Sequence, residues 1–246
     1  MKNIIIHIAL ILATFTMYDC SDNNCVSTAG KDAQKTIQLT PFRTLEVHGI
    51  FTIELIPDTV DFVSIRSGKN MIEQSEFLIQ DSTLFCYNNS ECSFFKNFEK
   101  VQLQIHTTSL DSITIYNACN ISNTVAITRN LVISQQAEMV DLHLNLNNNY
   151  CKLSTLNVAG GSIVFTGKCK RCNFSAQYTT LLDSRNLKVS NMIIKNNTIN
   201  DFYIQITDSL QVEIYKTGKI YYTGNPIYVN DSKANGLLIK RTFELK

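Results

Sequence analysis

The feature that most constrains this sequence is a repeated corner, in which a short polar or glycine-rich segment ends in an apolar residue. Six such corners follow residue 110: YNACNI ends at Ile121, QQAEMV at Val140, AGGSI at Ile163, TTLL at Leu182, TINDF at Phe202 and KTGKI at Ile220. The intervals between these end residues are 19, 23, 19, 20 and 18 residues. A repeat near 20 residues that contains short strands is typical of chains whose turns stack on one another.

Alternating apolar and polar residues surround the corners, as at Leu142, Leu144 and Leu146, and no stretch shows a convincing helical period. Alternate residues of a strand share a face, so each turn has an apolar inside that a neighbouring turn must cover. We therefore predict an all-β domain, a parallel β-solenoid with about 20 residues per coil and an N-terminal strand-rich cap. The alternative is an antiparallel β-sandwich. The sequence offers little for its tight hairpins, with one Asn-Gly pair at Asn235-Gly236 and no Asp-Gly pair.

The N-terminus has the pattern of an export signal, with Lys2 before an apolar run at residues 4–13 that is too short to span a bilayer as a helix. Cys20 follows and precedes Ser-Asp-Asn, which resembles the start of a bacterial lipoprotein whose cysteine carries the lipid. Plain secretion, with Cys20 as an ordinary thiol, is the alternative. We predict a signal peptide over 1–19, a polar tether over 20–39 and a folded domain over 40–246. The protein is then a lipoprotein of the cell envelope, outer membrane or cell surface, held to the membrane through Cys20.

Two blocks of sequence resemble one known family. The first is FRTLEVHGIFTIELIPDTVDFVSIRSGKN (residues 42–70), followed by DSTLFCYNN, and the second is KTGKIYYTGNPIYV (residues 216–229). In this order, with the corners between them, they resemble the putative auto-transporter adhesin, head GIN domain family over about residues 40 to 245. The resemblance implies a bacterial surface domain of unknown biochemical function, and the family's name implies adhesion. Its corners are usually rich in glycine, whereas here only AGGS (159–162) and KTGK (216–219) keep it. We therefore predict a different turn shape at the other corners.

Cysteines supply the first group of candidate site residues. Cys169 and Cys172 form a CxxC pair, but neither a βαβ unit nor a second Cys/His pair points to a redox or zinc centre, so we predict no metal. Stacking of Leu156 on Phe174 would make Cys151 and Cys169 neighbours in adjacent coils. We predict that Cys151 bridges to Cys169 or Cys172, and that Cys86 and Cys92 can close a small loop. Buried free thiols remain the alternative.

Five tyrosines lie at or beside the corners: Tyr116, Tyr178, Tyr215, Tyr221 and Tyr222. Exposed tyrosines suit contact with a glycan or a surface protein, and packing of the rings against the corners is the alternative. We predict a binding surface here and a non-catalytic adhesion or binding module without a cofactor. A structural envelope protein without a ligand site is the second interpretation.

A polysaccharide-degrading enzyme is the third interpretation, and it would need a cluster of carboxylates on one face. Glu138, Asp141, Asp183 and Asp201 lie near corners, but scattered solvated acids explain them as well. No hydrolase, zinc-protease or nucleotide-binding motif occurs. The formal net charge is +1 and no stripe of Lys and Arg stands out along the sequence, which argues against nucleic acid as a partner.

Overall fold

Nearly all of the regular structure in the described part of this protein is β. The computed structural model describes residues 29–88, 100–156, 158–233 and 236–243. Its strands are β1 (Asp32–Gln38), β2 (Thr44–His48), β3 (Phe51–Pro57), β4 (Phe62–Gly68), β5 (Ser75–Gln80), β6 (Thr83–Asn88), β7 (Val101–Thr107), β8 (Ser112–Ile115), β9 (Asn120–Ser122), β10 (Leu131–Gln135), β11 (Val140–Thr155), β12 (Gly160–Thr198), β13 (Phe202–Ile214), β14 (Ile220–Thr223), β15 (Tyr228–Lys233) and β16 (Leu238–Lys240). One short helix, α1 (Lys69–Glu73), interrupts them within the described ranges.

The strands form one curled sheet of 16 strands across the described residues, and most of its pairs are parallel. Antiparallel pairing joins β1 to β4, β4 to β7, and β5 to β6. These antiparallel pairs all belong to the N-terminal part of the chain, where the sequence predicts a strand-rich cap. The all-β prediction is confirmed, and the sheet is mixed.

The parallel strands form two rows, between which the chain passes repeatedly. The first row contains β2, β8, β10, residues 151–155 of β11 and residues 172–175 of β12, and further along residues 191–196 of β12, 209–214 of β13 and β15. The second row contains β3, β9, residues 141–146 of β11 and residues 161–167 of β12, and further along residues 182–184 of β12, 202–206 of β13, β14 and β16.

The longest strand, β12, contributes to both rows. It has 39 residues, and a straight strand of that length would reach about 130 Å. Its early part pairs with both halves of β11 and its late part pairs with both halves of β13. The strand therefore bends at each passage between the rows, and its bend at TTLL (residues 179–182) is one of the corners that the sequence repeat marks.

Alternation within the strands places the core between the rows. Leu142, Leu144 and Leu146 are buried, while Asp141 before them and His143 between the first two are exposed. The aromatic rings of Phe165 and Phe174 stack inside, with centroids 5.1 Å apart. Because every turn covers the apolar inside of its neighbour, the core is continuous along the rows.

The corner end residues that the repeat aligns pair with one another at two of its steps and are shifted by two residues at two others. Leu182 pairs with Phe202, and Phe202 pairs with Ile220. Ile121 and Ile163, however, both pair with Leu142 and not with Val140. Both Val140 and Leu142 are buried residues of one strand, and a shift of two residues keeps the same face inward, so alternation does not distinguish them.

The folded part begins earlier than the sequence predicts. Strand β1 runs from Asp32 to Gln38 and pairs with β4 over its whole length, although these residues belong to the predicted tether. The strand is polar on its exposed side, and Ile37 packs against the core. The predicted signal peptide and Cys20 lie outside the described residues.

Candidate functional site

The corners that lead from the first row to the second are connected to one another by backbone hydrogen bonds. Gln136 N donates to Ile115 O at 2.9 Å, Leu156 N to Gln135 O at 2.8 Å, and Tyr215 N to Asn196 O at 2.9 Å. Thr179 N donates to Ala159 O at 3.4 Å, and Asn200 Nδ2 donates to Thr179 O at 3.0 Å. Corners far apart in sequence thus form one continuous edge of the molecule.

Buried polar side chains fix the shape of these corners. Gln135 Nε2 donates to Ala137 O at 3.0 Å and to Gly160 O at 2.6 Å, so it joins two successive corners. Asn196 Oδ1 accepts from Thr198 N at 2.9 Å inside a later corner. Since these side chains are fully buried, their hydrogen bonds hold the corners rigidly against the core.

Large apolar side chains point to solvent along this edge. We call the following group the apolar edge: Ile50, Tyr116, Met139, Leu156, Val158, Tyr178, Leu181, Ile199 and Tyr215. The exposed fractions of Met139, Ile199, Val158 and Tyr215 are 71, 67, 56 and 50%. Single exposed apolar residues are ordinary, but a continuous exposed group marks an interaction surface.

Two residues of the apolar edge have left-handed backbone. Met139 has φ 54° and Tyr178 has φ 58°. This region costs an L-residue about 1 to 2 kcal/mol, and large side chains are seldom found there. Met139 belongs to QQAEMV, so left-handed backbone occurs in a corner that has no glycine. Residues with strained backbone conformations are found most often at functional sites.

The five tyrosines that the sequence singles out do not form one cluster. Tyr116, Tyr178 and Tyr215 lie on the apolar edge, whereas Tyr221 and Tyr222 lie on β14 in the second row. Tyr221 stacks on Tyr203 of the neighbouring strand with centroids 5.3 Å apart, and Tyr222 is half-buried against the core. Tyr221 and Tyr222 are separate from the other three because they follow the KTGKI corner and already belong to strand β14.

Aromatic side chains that the sequence reasoning missed extend the apolar edge at its N-terminal end. The ring of His48 stacks on Tyr116 at 4.4 Å and on Tyr87 at 4.9 Å. The three residues come from neighbouring strands of the first row, β6, β2 and β8, at or just beyond their ends. Each is an aromatic residue at the end of an alternating run, which is the signal that could have pointed to them.

Tyr215 also takes part in a polar network at this edge. Its hydroxyl donates to Glu213, whose carboxylate also pairs with Lys195 at 2.9 Å. The hydrogen bond from Tyr215, followed by that from Lys195, holds the pKa of Glu213 below its usual value. The Lys216 ammonium lies 6.0 Å from the ring centroid of Tyr178. These contacts orient both tyrosine rings while leaving them exposed.

The five cysteines among the described residues are buried, and the register behind the predicted bridge is shifted. Leu153, not Leu156, pairs with Phe174, so the neighbour of Cys151 is Cys172 and not Cys169. Cys86, Cys119, Cys151, Cys169 and Cys172 are free thiols in the structure. A bridge from Cys151 to Cys169 or Cys172 stays a prediction. Cys92 lies outside the described residues, so its predicted link to Cys86 does too.

Burial sets the chemistry of these thiols. It raises the pKa of Cys86 and of Cys151, and it raises the pKa of Cys119 to about 12. The hydrogen bond between Cys169 and Cys172 lowers the pKa of Cys169 and raises that of Cys172. A thiol with a raised pKa is a poor nucleophile and a poor metal ligand. Among the described residues, no group of three or more His, Cys, Asp or Glu side chains is placed to hold a metal ion.

Two of the four carboxylates considered for hydrolysis have structural partners. Asp183 pairs with Arg185 at 2.9 Å. Asp201 accepts a hydrogen bond from Lys219 N at 2.9 Å and so joins its corner to the following one.

Within the part of the chain that the structure covers, no helix has the length and apolar character of a membrane span.

Comparison with known proteins agrees with this fold. The family model of the putative auto-transporter adhesin, head GIN domain matches residues 41–226. No curated protein matches the chain.

Several solved structures of bacterial proteins have a similar fold. A putative adhesin from Bacteroides fragilis is 17% identical, with a TM-score of 0.76 over 86% of this chain and 97% of that one. A protein from Parabacteroides distasonis, described as a putative lipid binding protein, is 12% identical, with a TM-score of 0.65 over 87% of this chain and 98% of its own. A putative adhesin from Parabacteroides merdae is 16% identical, with a TM-score of 0.58 over 87 and 97%. At these identities the likeness concerns the fold.

Proposed function

This chain belongs to the putative auto-transporter adhesin, head GIN domain family, and from that premise we propose that it is an exported, non-catalytic adhesion module that binds its partner through the apolar edge. The observation that carries the proposal is the line of exposed apolar side chains at successive corners. Soluble proteins rarely leave such a line uncovered unless it meets a partner. The family's name agrees with a role at the cell surface.

The framework of the proposed module is a parallel β-solenoid. Its support is the pairing of each row through parallel registers, together with a sequence repeat of 18 to 23 residues that brings the chain back to the same row. In such a framework each turn adds one corner to the edge, about 4.8 Å from the last. The edge is thus a long, rigid strip on which side chains hold fixed positions.

The apolar edge favours a protein partner over a glycan. Met139, Leu156, Val158, Leu181 and Ile199 are aliphatic, and aliphatic side chains gain more from an apolar protein surface than from a sugar covered in hydroxyl groups. Tyr178 and Tyr215 add the aromatic contacts that often dominate binding energy. We therefore assign the edge to a surface protein, with a glycan as the alternative.

Anchoring through Cys20 is the remaining part of the proposal. It rests on the export pattern and on the Cys-Ser-Asp-Asn segment of the sequence. Because β1 begins at Asp32, the segment between the lipid and the folded domain is shorter than the sequence predicts. The edge would then be held near the membrane that carries the protein.

Binding of the mature chain to arrays of purified extracellular proteins and of glycans tests the proposal. We expect saturable binding to at least one arrayed protein. The double substitution Tyr178→Ala and Tyr215→Ala should weaken it at least tenfold, since loss of an interface tyrosine commonly costs more than 1 kcal/mol. Tyr221→Ala is the matched control, because this tyrosine lies off the edge and should leave affinity unchanged.

Other outcomes of this experiment point elsewhere. Absence of saturable binding on either array favours a structural envelope protein without a ligand site. Equal loss from the edge variant and from Tyr221→Ala contradicts the assignment of the edge. Binding to neutral phosphatidylcholine vesicles in place of arrayed proteins would favour a lipid ligand, which the name of the Parabacteroides distasonis neighbour suggests.

Stability and binding should respond in opposite directions at Met139. Glycine adopts the left-handed backbone of position 139 without a steric penalty, so Met139→Gly should raise the free energy of unfolding by about 1 kcal/mol. The same substitution should weaken binding because it removes the exposed side chain. Met139→Ala removes the same side chain but keeps the strain, and it should weaken binding without stabilising. Urea unfolding and the array assay measure the two effects. A loss of stability in the glycine variant would show that Met139 serves packing.

A further inference from the structure

The corners that lead from the second row back to the first form another edge, and its side chains are basic. Asp111 N donates to Arg43 O at 2.8 Å, and Val132 N donates to Asp111 O at 2.9 Å, so the corners at Arg43, Asp111 and Arg129 follow one another. Asn148 Nδ2 then donates to Arg129 O at 3.0 Å. The registers place Lys168, Cys169 and Arg171 beside Asn147, Asn148 and Tyr150 in the next turn.

This arrangement collects cations that lie far apart in the sequence. We call the following exposed group the basic edge: Arg43, Arg129, Lys168, Lys170, Arg171 and Lys188. At about 4.8 Å per turn, the five steps from the corner of Arg43 to that of Lys188 span roughly 24 Å. No local pattern of the sequence shows this stripe, because its six residues come from four different turns.

Few carboxylates balance the basic edge. Asp111 is shared by Arg43, whose Nε lies 2.6 Å from Oδ2, and by Arg129, whose Nε lies 2.8 Å from Oδ1. Asp183 is paired with Arg185. No carboxylate of the described residues forms an ion pair with Lys168, Lys170, Arg171 or Lys188. The edge therefore carries a net positive charge at neutral pH.

A groove opens at the N-terminal end of the basic edge, where Arg129 lines it. Its volume is about 530 Å³. Its walls carry the hydroxyl groups of Thr59, Thr108, Ser109 and Thr128, and its acid, Asp58, pairs with His106 at 2.7 Å. Hydroxyl groups and an arginine around a partly apolar floor suit a sugar that bears an acidic group.

We propose that the basic edge and this groove bind an anionic polysaccharide, whose carboxylate or sulfate groups meet the cations spaced along the edge. The spacing of the turns is close to the length of one pyranose unit, so one rigid strip can match a regular array of charges. Nucleic acid fits less well. Bases bind single-strand sites by stacking on exposed aromatic rings, whereas Arg171 lies over the ring of Tyr150, 5.9 Å from its centroid. This inference concerns the opposite edge and does not depend on the proposed function.

Calorimetric titration of the mature chain with polygalacturonate and with dextran sulfate tests the inference, with neutral dextran as the uncharged probe. We expect binding of the two anionic polymers that weakens as salt rises, and no binding of dextran. The triple variant Lys168→Gln, Lys170→Gln and Arg171→Gln should lower affinity at least tenfold. It should also reduce the slope of log affinity against log salt by about two to three, as the loss of ionic contacts requires.

A variant with the same loss of charge elsewhere is the control. Lys31→Gln, Lys35→Gln and Lys69→Gln remove three exposed cations near the N-terminus and should leave affinity within about twofold, since charges beyond a Debye length contribute little. Equal weakening by the two triple variants would overturn the site. So would binding of oligodeoxythymidine as tight as that of the polysaccharides, because it would show a general response to polyanions. Circular dichroism and thermal midpoints of both variants establish that they fold.

Discussion

Replacing Gly161 by alanine is expected to lower the free energy of unfolding by about 3 to 5 kcal/mol. Gly161 has φ 111°, a backbone conformation that costs an L-residue about 1 to 3 kcal/mol. An added Cβ would also overlap the carbonyl oxygen of Val140, the residue with which Gly161 pairs in the second row. Relief of such overpacking by backbone movement costs a further 1 to 3 kcal/mol, roughly. Chemical unfolding in urea measures the sum.

Gly30 provides the matched control for this prediction. It also has positive φ, 83°, but an added Cβ would lie 3.2 Å from its nearest atom, Asn70 N. Gly30→Ala therefore isolates the cost of the backbone conformation, and it should lose about 1 to 2 kcal/mol. If the Gly161→Ala variant unfolds at the same urea concentration as the parent chain, the backbone of Gly161 does not approach Val140 as closely as the structure shows.

Truncation of Phe174 to alanine is the second substitution with a large expected effect. The side chain is fully buried, stacks on Phe165 and lies opposite Leu153 in the next turn. Loss of a buried phenylalanine costs about 3 to 5 kcal/mol, because apolar contacts are lost and a cavity remains. The urea midpoint should fall while the slope of the unfolding transition is unchanged.

A double-mutant cycle with Phe165→Ala checks that the two rings act as a pair. Stacked aromatic rings interact by about 0.5 to 1.5 kcal/mol beyond their burial. The two losses should therefore not add, and the double variant should be less destabilised than their sum by about that amount. Phe174→Leu fills most of the space and should lose much less. Strict additivity of the two alanine substitutions would show that the rings are energetically independent.

The sequence predicts the repeat and the all-β fold because both depend on local alternation and on corners that recur at regular intervals. Leu182, Phe202 and Ile220 stack as their spacing indicates. The repeat aligns Ile121 with Val140, whereas its partner is Leu142, two residues later. This error arises because Val140 and Leu142 both face inward. The misplaced Cys151 neighbour has a similar origin, since its register was taken from Leu156, a corner residue that lies beyond the strand.

The candidate site is predictable from the sequence only in part. Tyr116, Tyr178 and Tyr215 follow from their position at corners, whereas Met139 and Ile199 do not, because sequence patterns treat aliphatic residues as core. The stack of His48 on Tyr87 and Tyr116 depends on which strands are neighbours. The basic edge depends in the same way on the register of the turns, which no local pattern gives.

The unequal intervals of the corner repeat have a consequence for how such proteins diversify. Turns of 18 to 23 residues still return to the same rows, so the corners absorb insertions and deletions that the strands could not accept. Mutation can therefore reshape what the protein displays while leaving its interior intact. Selection for a new partner and selection for a stable fold act on different residues. A lineage can therefore change its binding partner without losing its fold.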